Sequence, residues 1–202
     1  QRNTGYHSDG MRDIAVIPFI DSLRKGETVY FEIVGFDPVN GGSIMPAANL
    51  DRLTKIDPVE YKDYKLLYSN HDDNHMTFKY GCSDEQMLRI FVYRITMTDV
   101  DGHSYDYSWN DVVERCKQLE VDPVPTLGTA YRSSDAFESM TSEDVLNLSI
   151  DYSEGPSVVD NSHFKEGICL RIDKTGFEPC VMKYKSVAFK IVEGIIKDSG
   201  II

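Results

Sequence analysis

The 202-residue sequence lacks several features that would assign it to a familiar class. It contains no apolar run of about 18 residues, so the sequence predicts no membrane span and no membrane partner. It has no internal repeat and no low-complexity tract. It has only four cysteines, and none of them forms the CxxC spacing of a zinc ribbon or a redox motif. These absences favour an ordinary globular protein with reduced cysteines.

Positive charge is also scarce, with 21 Lys and Arg residues against 33 Asp and Glu residues and a formal net charge of -12. Such a chain is unsuited to coating nucleic acid, so any polyanion must bind at a local basic patch. The first residues are polar and do not resemble a signal peptide, and the predicted location is the cytoplasm. Because residue 1 is Gln rather than Met, we expect the sequence to be a processed or excised piece.

Two segments near the C-terminus carry the clearest chemical pattern, residues 166–171 (EGICLR) and residues 182–186 (MKYKS). Both are predicted strands. Lys183 and Lys185 share one face of the second, because strand side chains alternate with period two. The lysines can neutralise phosphate oxygens, and Glu166 can hold a divalent cation or a ribose hydroxyl. This pattern suits a nucleoside triphosphate, and the alternative is a surface hairpin with three solvated charges.

A strongly apolar strand is predicted over residues 28–35 (TVYFEIVG), with Val29, Phe31 and Ile33 on one face. The other face carries Glu32 between Tyr30 and Val34. An acid within so apolar a strand costs free energy unless it has a partner, so Glu32 is a candidate site residue. The alternative is a glutamate at the sheet edge that reaches solvent.

The rest of the chain alternates between strands and helices without a regular βαβ order. Residues 88–98 predict a strand with Phe91, Tyr93 and Ile95 on one face, and Asp101-Gly102 predicts a hairpin turn after it. Helices are predicted over residues 18–25, Trp109–Leu119, 142–148 and 186–197. Many strands with several helices indicate an α+β fold with antiparallel sheets.

Two further sets of potential metal ligands do not favour a metal site. His71 and His75 have helical i,i+4 spacing, but their context predicts a polar loop, so they are interpreted as solvated rather than metal-binding. The run from Asp99 to Gly102 lacks the remaining ligands of a calcium loop.

Four segments, in this order, resemble the nucleotidyltransferase superfamily of RNA ligases, DNA ligases and mRNA capping enzymes. They are residues 31–35 (FEIVG), 89–95 (RIFVYRI), 166–171 (EGICLR) and 182–186 (MKYKS). The wider phrases, including residues 78–81 (FKYG), are most similar to the bacteriophage-type and kinetoplastid-editing RNA ligases. The resemblance covers nearly the whole chain, and it implies one nucleotidyltransferase (ATP-grasp-like) domain over residues 1–202, with antiparallel sheets flanked by helices.

The resemblance also implies an activity. An ATP-dependent RNA ligase attaches AMP to a lysine, passes it to an RNA 5′-phosphate and joins that end to a 3′-hydroxyl. Lys183 and Lys185 would bind the α-phosphate, and Glu166 would position Mg²⁺ or Mn²⁺. Glu32 would hold the ribose, and Phe91 would stack on adenine or serve as a core aromatic. The implied partners are ATP and RNA ends or a nicked duplex, acting on a monomer in a bacterial or phage-infected cell.

One family feature is missing, because the chain contains no K-x-(D/H)-G motif and therefore no identifiable nucleophilic lysine. Arg2-Asn3 matches the Arg-Asn that follows this motif in such ligases, which predicts the lysine upstream of residue 1 and a phosphate or ribose contact for Arg2. The chain ends soon after residues 182–186, where members of this superfamily often add a C-terminal domain, so the resemblance implies that it is the central portion of a ligase catalytic domain. Two alternatives follow, a catalytically inactive ligase-like module that binds nucleotide or RNA, and a capping-type guanylyltransferase.

Overall fold

A computed structural model of the chain describes residues 9–82, 87–130, 140–174 and 178–197. Within these ranges it contains six α-helices and one short 3₁₀ helix, Ile20–Ser22. The α-helices are α1 (Asp9–Val16), α2 (Asp51–Ile56), α3 (Tyr64–Tyr68), α4 (Trp109–Leu119), α5 (Ser142–Ser153) and α6 (Val187–Val192). Among these helices, none has both the length and the apolar character required to cross a membrane.

The described strands form three sheets. They are β1 (Glu27–Gly35), β2 (Ala48–Asn49), β3 (His75–Met76), β4 (Leu88–Thr98), β5 (Ser104–Asp106), β6 (Asp122–Pro123), β7 (Gly167–Ile172) and β8 (Cys180–Lys185). The largest sheet has the order β1-β4-β5, with β6 parallel to β4, and the two smaller sheets pair β2 with β3 and β7 with β8. The structure thus combines helices with antiparallel sheets, in agreement with the predicted α+β class.

The chain divides into two compact units, each assembled from three segments. Unit 1 comprises Gln1–Pro46, Lys79–Val124 and Arg171–Cys180. Unit 2 comprises Ala47–Phe78, Pro125–Leu170 and Val181–Ile202. Candidate residues Glu32 and Phe91 therefore belong to unit 1, whereas Glu166, Lys183 and Lys185 belong to unit 2.

The core of unit 1 lies between the β1–β4 pair and helix α4. Val92 and Ile95 of β4 pack against Val112 and Cys116 of α4, and all four are fully buried. Val29 and Phe31 of β1 join this cluster, as the strand pattern predicted. Ser108 caps α4 by accepting the Asp111 N–H at 3.2 Å, which fixes the start of the helix where the sequence placed it.

A buried ion pair secures the same unit. The Arg115 guanidinium donates to both carboxylate oxygens of Glu27 at 2.8 Å and to the Ser22 carbonyl at 2.7 Å. Burial opposes ionisation of Glu27, but the hydrogen bonds from Arg115 and from the Arg24 N–H outweigh it and lower its pKa. Both charges are thus kept in the core because each is fully hydrogen-bonded.

Unit 2 has a core of interlocking aromatic rings. Phe164 lies at its centre, with ring centroids 5.5 Å from Tyr68 and 5.8 Å from Phe78. Phe78 in turn contacts Phe189 of α6 at 5.8 Å, edge to face. Burial raises the pKa of Tyr64, another member of the cluster, to about 12, so its phenol stays neutral.

The first helix differs from its prediction. The sequence indicated an irregular start and a helix over residues 18–25, but α1 spans Asp9–Val16. Met11, Ala15 and Phe19 are buried at a spacing of four residues, which is the apolar stripe that holds this segment in place. Pro18 follows the helix end instead of opening a helix.

Candidate functional site

The part of the β7–β8 hairpin that belongs to unit 2, with the residue just before it, carries three of the candidate residues. The Ser186 N–H donates to the Glu166 carbonyl at 2.9 Å, and Gly167 lies against the backbone of Tyr184 and Lys185. The beginning of β7 therefore meets the end of β8, which makes the pair antiparallel. Glu166 and Lys185 thus occupy the same end of the hairpin, although they are 19 positions apart in sequence.

Gly167 is the residue that permits this close approach. Its φ is +148°, and a Cβ added to it would lie 2.0 Å from the Tyr184 carbonyl oxygen. Only glycine fits such a conformation and such a distance. At Glu166 and Gly167 the chain thus passes through an unusual backbone conformation into β7, the strand that pairs with the lysine-bearing strand β8.

Lys183 and Lys185 alternate with Tyr184 along β8 and therefore share a face of the strand, as predicted. Their surroundings differ. Lys183 is exposed and makes no hydrogen bond or ion pair within the described residues. The Lys185 ammonium forms an ion pair with Glu193 and lies 4.8 Å from the centre of the Phe189 ring. One lysine is thus available to a ligand, and the other already holds an anion.

Ser186 fixes how the strand passes into helix α6. Its hydroxyl accepts the Phe189 N–H at 3.1 Å and donates to the Lys165 carbonyl at 2.8 Å. The next amide, that of Val187, donates to the Glu154 carboxylate at 2.7 Å. Because Ser186 is both the helix cap and a partner of β7, the lysine strand and α6 form one connected structure.

Glu32 and Phe91 are direct cross-strand neighbours in unit 1, since their Cα atoms are paired in the β1–β4 ladder. Directly opposed residues of an antiparallel pair project from the same side of the sheet. Glu32 is exposed, whereas Phe91 is only 7% exposed and has the Arg89 guanidinium 4.9 Å from its ring centre. The structure thus brings these two candidates together, with Phe91 largely covered.

A β-bulge alters the face of β4 that was predicted from alternation. The register shifts by one residue between Tyr30 and Phe31, so Phe31 pairs with Val92 but Tyr30 pairs with Arg94. Tyr93 is the extra residue, and it is 43% exposed. The prediction that Phe91, Tyr93 and Ile95 share one face is therefore wrong, because Ile95 enters the core after the bulge.

The bulge is not visible in the sequence, so the side chains that lie near Glu32 were not predicted. Tyr93 approaches Tyr30 with ring centroids 6.4 Å apart, and the Arg94 guanidinium lies 5.1 Å from the Tyr30 ring. Burial, followed by the negative charge of Glu32, raises the pKa of Tyr93. The only sequence signal for this group was an unusual density of aromatic residues in two adjacent strands.

Other candidates contribute less. Arg2 lies outside the described residues. Asp99, Asp101 and His103 place potential metal ligands near one another, but Asp99 accepts the backbone N–H groups of Asp101 and His103, both at 2.9 Å. Those hydrogen bonds, led by the one from His103, lower the pKa of Asp99 despite the opposing effect of burial. The cluster is thus accounted for by the β4–β5 turn that it shapes.

No protein-family model, no curated protein and no solved structure matches this chain. Function must therefore be argued from the residues themselves and from the geometry of each unit.

Proposed function

We propose that this chain is the adenylation domain of an ATP-dependent RNA ligase of the nucleotidyltransferase type. The observation that supports the proposal most directly is the β7–β8 hairpin. Two lysines project from one face of β8, and Glu166 lies at the same end of the hairpin as Lys185. On this proposal the chain acts as a monomer on RNA ends or nicked duplexes in the cytoplasm of a bacterial or phage-infected cell.

Lys183 and Lys185 have the role of binding the α-phosphate of ATP. When a nucleophile attacks the α-phosphorus, negative charge grows on the phosphate oxygens before pyrophosphate leaves. Two ammonium groups that contact these oxygens would stabilise that charge more in the transition state than in the ground state. Lysine suits this task because its charge is compact.

Glu166 fits a Mg²⁺ or Mn²⁺ ion of the kind that reaches a protein together with a nucleotide. Such ions keep several waters and take one or two protein carboxylates, with phosphate oxygens completing the shell. Glu166 is a half-buried carboxylate next to the lysine hairpin, which is the minimum that this mode of binding requires. The ion, when bound, would supply additional neutralisation of phosphate charge.

In unit 1, Glu32 would bind a ribose hydroxyl of ATP, and Phe91 would stack on the adenine ring. Glu32 is exposed and therefore accessible to a ligand. Stacking on Phe91 requires the Arg89 side chain to move from the ring, because it now covers that surface. We further propose that Arg2 contacts phosphate or ribose and that the nucleophilic lysine precedes residue 1.

The joining step can be tested without that lysine. In this step the RNA 3′-hydroxyl attacks the 5′-phosphorus of an RNA that already carries AMP, a phosphodiester forms and AMP leaves. We expect residues 1–202 to seal a nicked duplex whose 5′ end has been adenylylated chemically. The variant Lys185→Ala should lose about 100-fold in rate, as does loss of one oxyanion-stabilising group. Lys62→Ala, which removes an exposed lysine of the same unit, should leave the rate unchanged.

A second candidate is the non-catalytic nucleotide- or RNA-binding module. The observation that favours it is that Lys185 already has an anionic partner while Phe91 is nearly buried. Binding of ATP or RNA without sealing would support this module and count against the ligase. Preference for GTP over ATP would instead support the capping-type enzyme, and absence of both binding and sealing would remove all three.

A further inference from the structure

The Lys185 ammonium is held from two sides by residues of the helix that follows it. Glu193 supplies a carboxylate, and Phe189 supplies the face of a ring 4.8 Å away. Both members of the ion pair are about one-third exposed, 33% for Lys185 and 35% for Glu193. The pair is thus reachable by a solute anion, but Glu193 already neutralises part of the charge with which Lys185 would attract a phosphate oxygen.

The backbone of Glu193 is fixed independently of this pair. Its N–H donates to the Phe189 carbonyl at 3.0 Å, and Arg52 donates to the adjacent Val192 carbonyl at 2.6 Å. Phe189, Ile191 and Val192 of α6 are buried in the core of unit 2. Because the helix end is anchored, the pair separates by rotation of the Glu193 or Lys185 side chain and does not require the helix to move.

We infer that Glu193 is an intramolecular competitor for the phosphate site. A di- or triphosphate ligand first meets the exposed Lys183 and gains the full attraction of Lys185 only when its oxygens displace the Glu193 carboxylate. This inference rests on the proposed function, since it concerns the same pair of lysines. It adds a residue that the family motifs do not contain and assigns it a regulatory effect on nucleotide affinity.

The size of the effect follows from the strength of exposed ion pairs. A pair of this exposure contributes less than a buried one and is weakened by salt. Its removal should therefore tighten phosphate binding by about two- to fivefold at low ionic strength. The gain should diminish at high salt, because the competing attraction is screened.

The test measures equilibrium binding of Mg²⁺–ATP and of inorganic tripolyphosphate to residues 1–202 by calorimetry. Glu193→Gln keeps the shape of the side chain and removes its charge. Glu143→Gln makes the same change at an exposed acid on α5 and corrects for the loss of one negative charge from unit 2. The double variant with Lys185→Gln and Glu193→Gln shows whether the change in affinity depends on Lys185. Thermal unfolding verifies that each variant is folded.

We expect Glu193→Gln to bind the phosphate ligands more tightly than Glu143→Gln. This difference should disappear when Lys185 is also replaced. Equal affinity of the wild-type chain and Glu193→Gln would show that Glu193 does not compete with phosphate, and it would leave the proposed nucleotide site intact. Weaker binding in Glu193→Gln would overturn the inference in favour of a positioning role for Glu193. If neither ligand bound any of these chains, the proposed function itself would fail, and the inference with it.

Discussion

At the scale of single residues, the site depends most on Gly167, because this residue has no side chain. Gly167 allows the start of β7 to approach the Tyr184 carbonyl more closely than any Cβ permits. Its φ of +148° is also a conformation that other residues rarely adopt. The glycine of the Glu-Gly dipeptide is therefore needed for the geometry that places Glu166 beside the end of the lysine strand.

We expect Gly167→Ala to lower the free energy of unfolding by at least about 2 kcal/mol, because it adds both backbone strain and a clash. Urea denaturation followed by circular dichroism measures this. Gly128→Ala is the matched control, since nothing lies within 4 Å of its added Cβ, and it should change stability by less than about 0.5 kcal/mol. Equal effects of the two substitutions would contradict the close approach.

At the scale of elements, the bulge in β4 decides which side chains enter the core. Regular alternation would place Tyr93 and Ile95 on the same face. The extra residue instead leaves Tyr93 43% exposed and Ile95 fully buried. The extra residue shifts the alternation of every later residue, and here it turns Ile95 into the core and Arg94 toward Tyr30, on the face that bears Glu32.

The bulge can be tested by comparing two truncations. Ile95→Ala should destabilise the protein by about 2–5 kcal/mol, because it leaves a cavity in a packed cluster. Tyr93→Ala should cost less than about 1 kcal/mol, because the ring is largely at the surface. Chemical denaturation of both variants gives the two values. Comparable losses would indicate that both side chains are in the core and that alternation is unbroken.

The elements that the sequence predicted well are those fixed by local signals. Helix α4 spans the predicted residues Trp109–Leu119, and α5 begins at the predicted residue Ser142, behind a capping box formed by Thr141 and Asp144. The turn at Asp101-Gly102 is followed by β5, also as expected. Each of these features depends on residues within about four positions of one another, so a single sequence is sufficient to predict them.

The features that were missed depend on contacts between distant segments. The bulge arises from pairing between two strands whose paired end residues are 53 and 70 positions apart, and no residue of β4 by itself predicts it. Arg115 of α4 pairs with Glu27, which is 88 positions away. Glu193 lies only eight positions from Lys185, yet their meeting requires the strand-to-helix transition that Ser186 creates. Local patterns do not encode such pairings.

At the scale of the whole molecule, the two units respond to acid through different groups. In unit 2, His163 is 1% exposed and its Nδ1–H donates to the Phe164 carbonyl at 3.0 Å. Burial lowers the pKa of His163 below its ordinary value of 6.5, although that hydrogen bond and the charge of Asp160 oppose the change. In unit 1, the lowered pKa of Glu27 makes the folded state sensitive only below about pH 4.5.

The buried His163 makes the free energy of unfolding depend on pH. Above pH 6.5 both states are neutral, and below it the unfolded chain binds a proton that the folded chain resists. Unfolding should therefore become easier between pH 7.5 and pH 5, by about 1.4 kcal/mol for each tenfold loss of proton affinity. Urea unfolding at these two pH values measures the difference. The difference should shrink in His163→Gln and persist in His71→Gln, whose side chain is exposed. An unchanged difference in His163→Gln would assign the acid sensitivity to other groups.

The net charge of -12 limits how the molecule can hold RNA. If Lys183 and Lys185 are the principal phosphate contacts, few counterions are released on binding. For single-stranded nucleic acid the logarithm of affinity falls with the logarithm of salt at about 0.7 per contact, so two contacts predict a slope of about -1.4. Salt also screens the repulsion between RNA and the acidic surface, which makes the slope shallower still.

Fluorescence anisotropy with a labelled single-stranded RNA, measured between 50 and about 200 mM salt, gives this slope directly. Lys183→Gln should reduce it by about 0.7, whereas Lys62→Gln should not change it. A slope steeper than about -3 that survives Lys183→Gln would mean that RNA is bound by a larger basic surface elsewhere in the chain. A small slope that responds to Lys183 would instead place an RNA phosphate on the exposed lysine of β8.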